Sequence, residues 1–546
     1  MNRFLSRACA LATSAAIVLA LSACASAPTR PAAWGAPEAL VAPSSFTGVH
    51  GLAVDTQGRL LAGSVVGYAM WEVDRKTGAA KVLIPAPEGQ ADDIAVGPKG
   101  ELAWTNYLMG MVRYRENDTT PMKVLAKDLP GLNSLDFDRK SGKLYASQVF
   151  LGDALWELDV AGVKPPRLIA KDMGGFNGFE VGPDGMLYGP LWFKGQVVKI
   201  DPANGAITVI NSEFKVPAAA NLDGKGNLWV VDTRTGELCK VELASGRKTV
   251  VKQLKTALDN LAIAPDGTVY VSNMADNSIE AFNPATGELR TLTGGKLAVP
   301  AGLKIDGDSL WVTDVFGFRQ VNVKSGDVKD IFRMQASDME YPFAVGVSTK
   351  LFALTSWFTG TVQLVDRATL KTVHTIHALK APFDALPMED GSVVYAEIAT
   401  GTITRASGAD YKTTQVIATG LGGPVQMTLG RDGALYVTEA AGKLTRIDLA
   451  SGAKSEVANG LALPEGVAQT PWGSFIVAET AAGRLTEIDP ANGTRRSVAE
   501  NLPIGLPAGP GMPPPYVVTG VAVGADGTVY FSADKNNAVY RVKPQR

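Results

Sequence analysis

A phrase of about 42 residues recurs along most of the chain and constrains the fold more than any other feature. It consists of a short apolar strand, a turn with Asp-Gly or a similar pair, a second apolar strand, and a more polar hairpin closed by Gly. Segments 179–188 and 521–531 show the phrase clearly. The turn glycines of the first half lie 41 to 43 residues apart: Gly58, Gly100, Gly142, Gly185, Gly226 and Gly267. The same register continues through six further turns, which gives twelve units: Gly307 or Asp308, a degenerate turn near Ser348, Gly391, Gly433, Gly473 and Gly527.

Each unit also contains a second hairpin, as in segments 200–205 and 488–493, both Ile-Asp-Pro-Ala-Asn-Gly. Asp begins such a turn by bonding its own backbone, and Gly takes the left-handed position. Two hairpins per unit make a four-stranded sheet, which is the blade of a β-propeller. A sandwich or a solenoid does not explain four short strands at so even a spacing. The sequence therefore predicts an all-β chain of twelve blades.

Twelve blades exceed the four to eight that one propeller usually holds, so the chain is expected to divide. We predict two tandem six-bladed β-propellers, over residues 46–297 and 298–546. A division into five and seven blades remains open at this point, because strand exchange between the first and last blades would shift the apparent boundary.

The first residues are typical of an export signal. Arg3 and Arg7 supply a positive start, and the apolar run Ala10 to Leu21 is too short for a comfortable membrane span. The run ends in Leu-Ser-Ala-Cys24, which resembles the lipobox of bacterial lipoproteins. That resemblance implies a signal peptide over 1–23 and a lipidated Cys24; the alternative is an ordinary signal peptide with a chance cysteine.

Ser26, in place of an aspartate, resembles lipoproteins sorted to the outer membrane, so we expect a membrane-attached protein that faces the periplasm. Residues 24–45 are rich in Ala and Pro without alternation, which predicts a flexible tether. Cys239 is the only cysteine left in the mature fold, so no internal disulfide is expected. The formal net charge of -2 gives no basis for nucleic-acid binding.

Polar side chains recur where the inner strands of the first six units begin. In a propeller the innermost strand begins, and the second strand ends, at one face, so these residues converge on one central mouth. Carboxylate and amide oxygens suit a hard cation such as Ca²⁺ or another divalent ion. The alternative is that they only bond backbone amides and water, with the histidine as a turn residue. The candidates are His50, Asp92, Asp93, Asn133, Asn177, Asp259 and Asn260.

The repeated phrase resembles the NHL-type and gluconolactonase/regucalcin-type propellers over nearly the whole mature chain. Phe176-Asn177-Gly178-Phe179 resembles the Asn-Gly-Leu segment of the latter family, and Leu258-Asp259-Asn260-Leu261 resembles its Asp-Gly-Leu segment. The resemblance implies one Ca²⁺ at the mouth, held by Asn133, Asn177 and Asp259. Asp92 is a further candidate ligand, and Asp259 could double as the base. The family's early Glu-Gly-Pro segment has no counterpart here.

The second half differs at the same positions. Its inner strands begin with mostly apolar residues, while glutamates such as Glu439 and Glu479 end its second strands. Segments 435–439 and 475–479 resemble the repeats of virginiamycin B lyase, a propeller that uses a metal and a histidine. The histidine expected after Pro464 is replaced by Glu465, which speaks against lyase chemistry. The glutamates could be solvated, pair with Lys or Arg, or hold a cation.

Aromatic residues follow several second strands, among them Trp104, Trp192 and Trp357. They suit contact with a ring-bearing ligand, and they equally suit wedging between blades. Together these patterns predict a lipid-anchored Ca²⁺-dependent lactone or ester hydrolase that acts on a small lactone or sugar ligand. The alternative is a non-catalytic scaffold that binds a ligand or an envelope protein.

Overall fold

The computed structural model describes residues 29–510, 512 and 514–545. The expected signal peptide and Cys24 lie outside these residues. The described part is built from strands, with three short 3-10 helices at Tyr107–Met109, Trp192–Lys194 and Thr480–Ala482. None of its helices has the length and apolar character needed to cross a membrane.

The first six blades are antiparallel four-stranded sheets whose strands follow one another from the channel outward. Blades 1 to 3 comprise Val49–Val54, Leu60–Ser64, Met70–Val73, Ala80–Ile84; Ile94–Val96, Leu102–Asn106, Met111–Arg115, Lys123–Ala126; and Leu132–Phe137, Leu144–Gln148, Ala154–Leu158, Arg167–Lys171. Blades 4 to 6 comprise Glu180–Val181, Leu187–Leu191, Gln196–Ile200, Ile207–Asn211; Pro217–Leu222, Asn227–Asp232, Glu237–Glu242, Lys248–Gln253; and Leu258–Ile263, Val269–Asn273, Ser278–Asn283, Glu288–Thr293.

The remaining blades repeat this order, and the last one borrows a strand from the N-terminal region. Blades 7 to 9 comprise Pro300–Asp306, Ser309–Asp314, Gly317–Asn322, Val328–Arg333; Ala344–Val347, Leu351–Ser356, Thr361–Asp366, Thr372–Ile376; and Pro382–Pro387, Val393–Glu397, Thr402–Ser407, Thr413–Ala418. Blades 10 to 12 comprise Pro424–Leu429, Leu435–Glu439, Lys443–Ile447, Lys454–Ala458; Pro464–Gln469, Phe475–Glu479, Arg484–Ile488, Arg495–Ala499; and Val521–Val523, Val529–Ala533, Ala538–Val542 with Glu38–Val41. Ala33–Trp34 pairs separately with Pro544–Gln545.

Contacts between inner strands divide the blades into two closed rings of six. The inner strand of blade 6 contacts that of blade 1, and the inner strand of blade 12 contacts that of blade 7. The first ring closes without strand exchange. In the second ring the outer strand of blade 12 is Glu38–Val41, which pairs antiparallel with Ala538–Val542. The chain is therefore a tandem pair of six-bladed β-propellers, and the five-plus-seven division does not apply.

The expected flexible tether over 24–45 is wrong for its C-terminal half. Residues 38–41 complete blade 12, and Val41 is buried against that sheet. Arg30 forms an ion pair with the buried Glu487 of blade 11. A strand of four residues is too short to show an alternating pattern, and its pairing partner lies at the other end of the chain. Composition alone therefore suggested a linker.

The two propellers share an apolar core. Phe316, Phe318 and Phe343 of the second propeller cluster with Ala257 and Met274 of the first. Of the apolar residues that begin inner strands in the second half, Ala301 and Phe343 belong to this shared core, whereas Phe383 and Val425 pack in a separate cluster.

Polar contacts cross the same boundary. The fully buried Arg319 guanidinium donates to the carbonyl of Ala275 and pairs with Asp314. Arg333 donates to Asp276 at 2.7 Å. These bonds fix the second propeller against blade 6 of the first.

Candidate functional site

A cavity of about 110 Å³ lies between the two propellers. Its floor is the mouth of the first propeller, and its roof comes from the second. The structure brings to this cavity most of the residues that the repeat register singled out. From the first propeller these are His50, Asp92, Asn133, Asn177, Trp192 and Asp259.

Glycines beside the floor residues allow neighbouring inner strands to approach closely. A Cβ on Gly51, next to His50, would lie 2.7 Å from the carbonyl oxygen of Asp92. A Cβ on Gly178, next to Asn177, would lie 2.4 Å from the Cα of Ala219. The mouth is therefore narrow because glycine follows the polar residue at these positions.

The carboxyl groups of Asp92 and Asp259 both line the cavity; Asp92 is buried and Asp259 is half-buried. Burial raises the pKa of Asp92 well above its ordinary value, and the charges of Asp259 and Asp93 add to the shift. The amide of Asn133 opposes it. Burial also raises the pKa of Asp259, against the charge of His50. Two such groups favour a shared proton or a bound cation.

Asp93, the next residue, shows the contrasting arrangement. Its carboxylate accepts bonds from the amide of Ile94 at 2.9 Å, the amide of Leu135 at 3.2 Å and the side chain of Asn260 at 3.0 Å. Burial still raises the pKa of Asp93 to about 7. Asp93 therefore joins blades 2, 3 and 6 in the channel. Among the bonds found in the described residues, no backbone amide donates to the carboxyl group of Asp92 or Asp259.

Other carboxylates of the first channel also accept hydrogen bonds from the backbone of a neighbouring blade. Asp136 accepts from the amide of Val181 at 2.8 Å, and Glu180 accepts from the amide of Leu222 at 2.6 Å. Burial raises the pKa of Asp136 to about 8, with a contribution from the charge of Glu180. For these channel carboxylates, and for Asp93 and Asn260, the purely structural alternative describes the contacts.

Asn133 and Asn177 share one hydroxyl. The Ser134 Oγ lies 2.9 Å from both amide Oδ1 atoms and accepts from the amide of Gly178 at 2.7 Å. A hydroxyl has one proton, so it can donate to only one of the two oxygens. The Asn177 oxygen also accepts from Gly178 at 2.9 Å. Asn133 is therefore the amide with more acceptor capacity left for a ligand.

His50 is held in one orientation. Its Nδ1 lies 2.9 Å from the carbonyl oxygen of Gly48 and donates a hydrogen bond to it. The ring packs edge-on against Phe316, with centroids 5.3 Å apart. In the neutral ring this bond leaves Nε2 as the nitrogen with a lone pair, and the side chain lines the cavity.

The prediction that Trp104 contacts a substrate is wrong. Its side chain is fully buried between blades 1 and 2, and its indole N–H donates to the carbonyl of Glu88 at 2.8 Å. The residue ends up in the core because it lies inside the second strand of blade 2, whereas Trp192 begins the helical turn after its strand. Trp192 does line the cavity.

The carboxylates at the second-strand ends of the second propeller accept hydrogen bonds from backbone amides of their own blades. Glu397 accepts from the amide of Lys380 at 2.6 Å, and Glu479 accepts from the amide of Ala462 at 2.8 Å. Asp534 accepts from the amide of Leu506 at 2.7 Å. Each bond ties the end of a second strand to the loop that leads into the inner strand. This backbone bonding is not among the three roles expected from the sequence; of those three, the structure shows pairing with an arginine, between Glu479 and Arg484.

Sequence reasoning missed the roof of the cavity. Tyr107 of the first propeller and Phe316, Tyr341 and Tyr516 of the second all line it. Burial raises the pKa of Tyr341 above its ordinary value, and the charges of Asp92 and Asp259 add to the shift. Of the aromatic residues that cover the cavity, Tyr107 and Trp357 gave a signal in the sequence, because both follow a second strand. The others could not be placed without knowing that the second propeller covers the first mouth.

The donor set fits a hard divalent cation. Asp92, Asp259 and Asn133 supply oxygens, and the two coupled carboxyls favour a positive charge between them. Asn177 is partly occupied by its own bonds. The described residues include no group of three or more His, Cys, Asp or Glu side chains arranged for a metal, so a cation here would depend on amide oxygens as well.

Comparisons with known proteins leave the family open. No family model matches the chain, and no curated protein matches it. Among solved structures, a streptogramin B lyase structure aligns with 15% identity and a TM-score of 0.26, covering 60% of this chain and 93% of that chain. The sheets themselves identify the fold as a tandem pair of six-bladed β-propellers.

Proposed function

We propose that this protein is a divalent-cation-dependent hydrolase of a lactone or related ester, with its site at the mouth of the first propeller. The observation that supports the proposal is the coupled pair Asp92 and Asp259, which faces a cavity. Asp92, Asp259 and Asn133 would hold Ca²⁺, with Asn177 as a weaker fourth ligand. When bound, such an ion polarises a carbonyl and acidifies a water.

The residues of the chain supply the remaining parts of the reaction. Burial raises the pKa of Asp259 toward the range in which a carboxylate is an effective general base near neutral pH. The Nδ1 bond of His50 to Gly48 orients the ring so that its other nitrogen can accept a proton or a hydrogen bond. The roof covers the carboxyl groups of Asp92 and Asp259, and the reduced contact with solvent strengthens charge interactions at the floor.

Metal content and stability test the proposal directly. The purified protein is expected to contain about one divalent ion, and a chelator is expected to abolish lactone turnover. Ca²⁺ at a hundred times its dissociation constant stabilises the folded state by about 2.7 kcal/mol, so the melting temperature of a protein of this size should rise by about 3–5 °C. Asp92→Asn should remove this rise.

The matched control is Asp93→Asn, which changes the neighbouring carboxylate that faces the channel. It should lower stability yet keep the response to Ca²⁺. Turnover that survives both the chelator and Asp259→Ala, in a protein without bound ion, would sink the proposal.

A non-catalytic binding scaffold is the second candidate. It is favoured by one observation: the oxygen of Asn177 is already engaged by Ser134 and Gly178, which weakens the fourth ligand. Ligand or envelope-protein capture without turnover or bound ion would support this candidate.

We also propose that the chain is exported and anchored through a lipid on Cys24 to the outer membrane, facing the periplasm. The motif that ends at Cys24 supports this proposal. Intact-mass measurement of the membrane-extracted protein, with Cys24→Ala as the control, would show whether acyl chains are present.

A further inference from the structure

The cavity has two chemically different sides. The floor carries the polar groups of the first propeller, while the roof is a group of aromatic side chains from the second. We use the name aromatic roof for Phe316, Tyr341, Phe343, Trp357 and Tyr516.

The rings of the roof form a connected wall. Trp357 lies 5.1 Å from Phe343 and 6.1 Å from Tyr516, between ring centroids. Phe316 lies 6.3 Å from Tyr341. Rings at these separations present a continuous apolar surface.

The wall continues outward to two exposed rings. Phe358 is 38% exposed and lies 5.6 Å from Tyr341. On the opposite side Phe150 is 43% exposed and lies 5.2 Å from Trp192. Both exposed rings also line the cavity. Large apolar side chains exposed at the rim of a cavity are typical of a binding surface.

Apart from the hydroxyls of Tyr341 and Tyr516, the aromatic roof offers few hydrogen-bonding groups. The indole N–H of Trp357 already donates to the carbonyl of Tyr516 at 3.1 Å. A polyhydroxylated ligand would leave most of its hydroxyls without partners there, which costs free energy. An alkyl or aryl group would lose nothing at this surface and would gain from leaving water.

We infer that the second propeller is the selecting half of the site, and that the ligand is amphipathic. Its ester or lactone group lies on the floor at Asp92 and Asp259, and its alkyl chain or single ring lies against the aromatic roof. The cavity volume is only about 110 Å³, so the enclosed part of the ligand is small. The remainder of the ligand passes between Phe150 and Phe358. This inference rests on the proposed function for the reacting group.

Binding and turnover are measured with two lactones of opposite character, γ-octalactone and glucono-δ-lactone. The lactam counterpart of γ-octalactone serves as a ligand that resists hydrolysis, and its binding is followed by tryptophan fluorescence, since Trp192 and Trp357 line the cavity. The alkyl lactam should bind at least tenfold more tightly than glucono-δ-lactone. Phe358→Ala and Phe150→Ala should each weaken its binding about fivefold.

Leu429→Ala is the matched control, because Leu429 is 43% exposed like Phe150 and lies on the inner strand of blade 10, away from the cavity. It should leave binding unchanged. Equal or tighter binding of glucono-δ-lactone, or equal effects of all three variants, would overturn the inference. Alkyl-lactam binding without lactone hydrolysis would instead contradict the proposed reaction and leave the selection by the roof standing.

Discussion

Asp259 and Glu465 occupy the same register position in the two propellers, the second residue of an inner strand. Asp259 faces the cavity beside Asp92. Glu465 instead accepts from the amide of Thr519 at 2.6 Å and from the hydroxyl of Thr480 at 2.9 Å. The repeat therefore fixes where a side chain starts, and the surrounding blades determine whether it is available for chemistry.

The two mouths differ for the same reason. Next to Glu465, the second channel is filled by Phe383, Val425 and Val518, with Trp357 packed against them. A carboxyl group in such a site is of use only as a hydrogen-bonding group. The first mouth keeps polar residues at most of its six positions, and its cover comes from another propeller.

Replacing the two matched carboxyls gives the largest expected difference. Asp259→Asn should lower the kcat of lactone hydrolysis by about 10²–10⁴-fold, the usual contribution of a general base. Glu465→Gln should change it less than about threefold, because burial raises the pKa of Glu465 to about 8 and glutamine resembles its protonated form. Steady-state kinetics at neutral pH measure both. Similar losses in the two variants would mean that the mouths do not differ in function.

Removing Arg319 from the boundary between the propellers tests how firmly the second propeller is held over the mouth of the first. Arg319→Met leaves the buried Asp314 without its cation, so the free energy of unfolding should fall by about 3–5 kcal/mol. The control Arg446→Met removes an ion pair with Asp432 in which both side chains are partly exposed, 35% and 42%, at a cost of up to about 1 kcal/mol. Urea unfolding followed by tryptophan fluorescence gives both values. Equal costs would show that the buried Arg319, which also donates to the carbonyl of Ala275 in the first propeller, does not hold the propellers together.

The smallest expected difference lies in the pH dependence of stability. Asp93 and Asp384 each accept a hydrogen bond from a backbone amide of a neighbouring inner strand. Burial raises the pKa of Asp93 to about 7 and that of Asp384 to about 6. Because both pKa values are raised on folding, their stabilising contribution is complete below about pH 4 and is lost as pH rises through the folded pKa. The charge of Lys304 opposes the shift at Asp384.

Melting temperatures measured from pH 5 to pH 8 should therefore fall as the pH rises. Asp384→Asn should reduce this fall mainly around pH 6, and Asp93→Asn should reduce it up to about pH 7. A melting temperature that rises over this range in the parent protein, or two variants with the same profile, would contradict the difference between the channels.

The sequence predicted the blades because turn chemistry and strand spacing are local, and the repeat register placed His50, Asn133 and Asp259 at one mouth. It failed where burial depends on distant chain segments. Trp104 could not be separated from Trp192, because both follow apolar strand residues and only their position relative to the strand end differs. The aromatic roof depends on the relative placement of two propellers, which no periodicity encodes.

The strand Glu38–Val41 also delays the completion of the fold during synthesis. Glu38 bonds to Arg541 across a separation of 503 residues. At synthesis rates of about 5–20 residues per second, Glu38–Val41 is made roughly 25–100 s before its pairing partner. Until then Glu38–Val41 has no partner, and an unpaired strand can instead complete blade 12 of a neighbouring copy. The last ring can thus close only once nearly the whole chain has emerged.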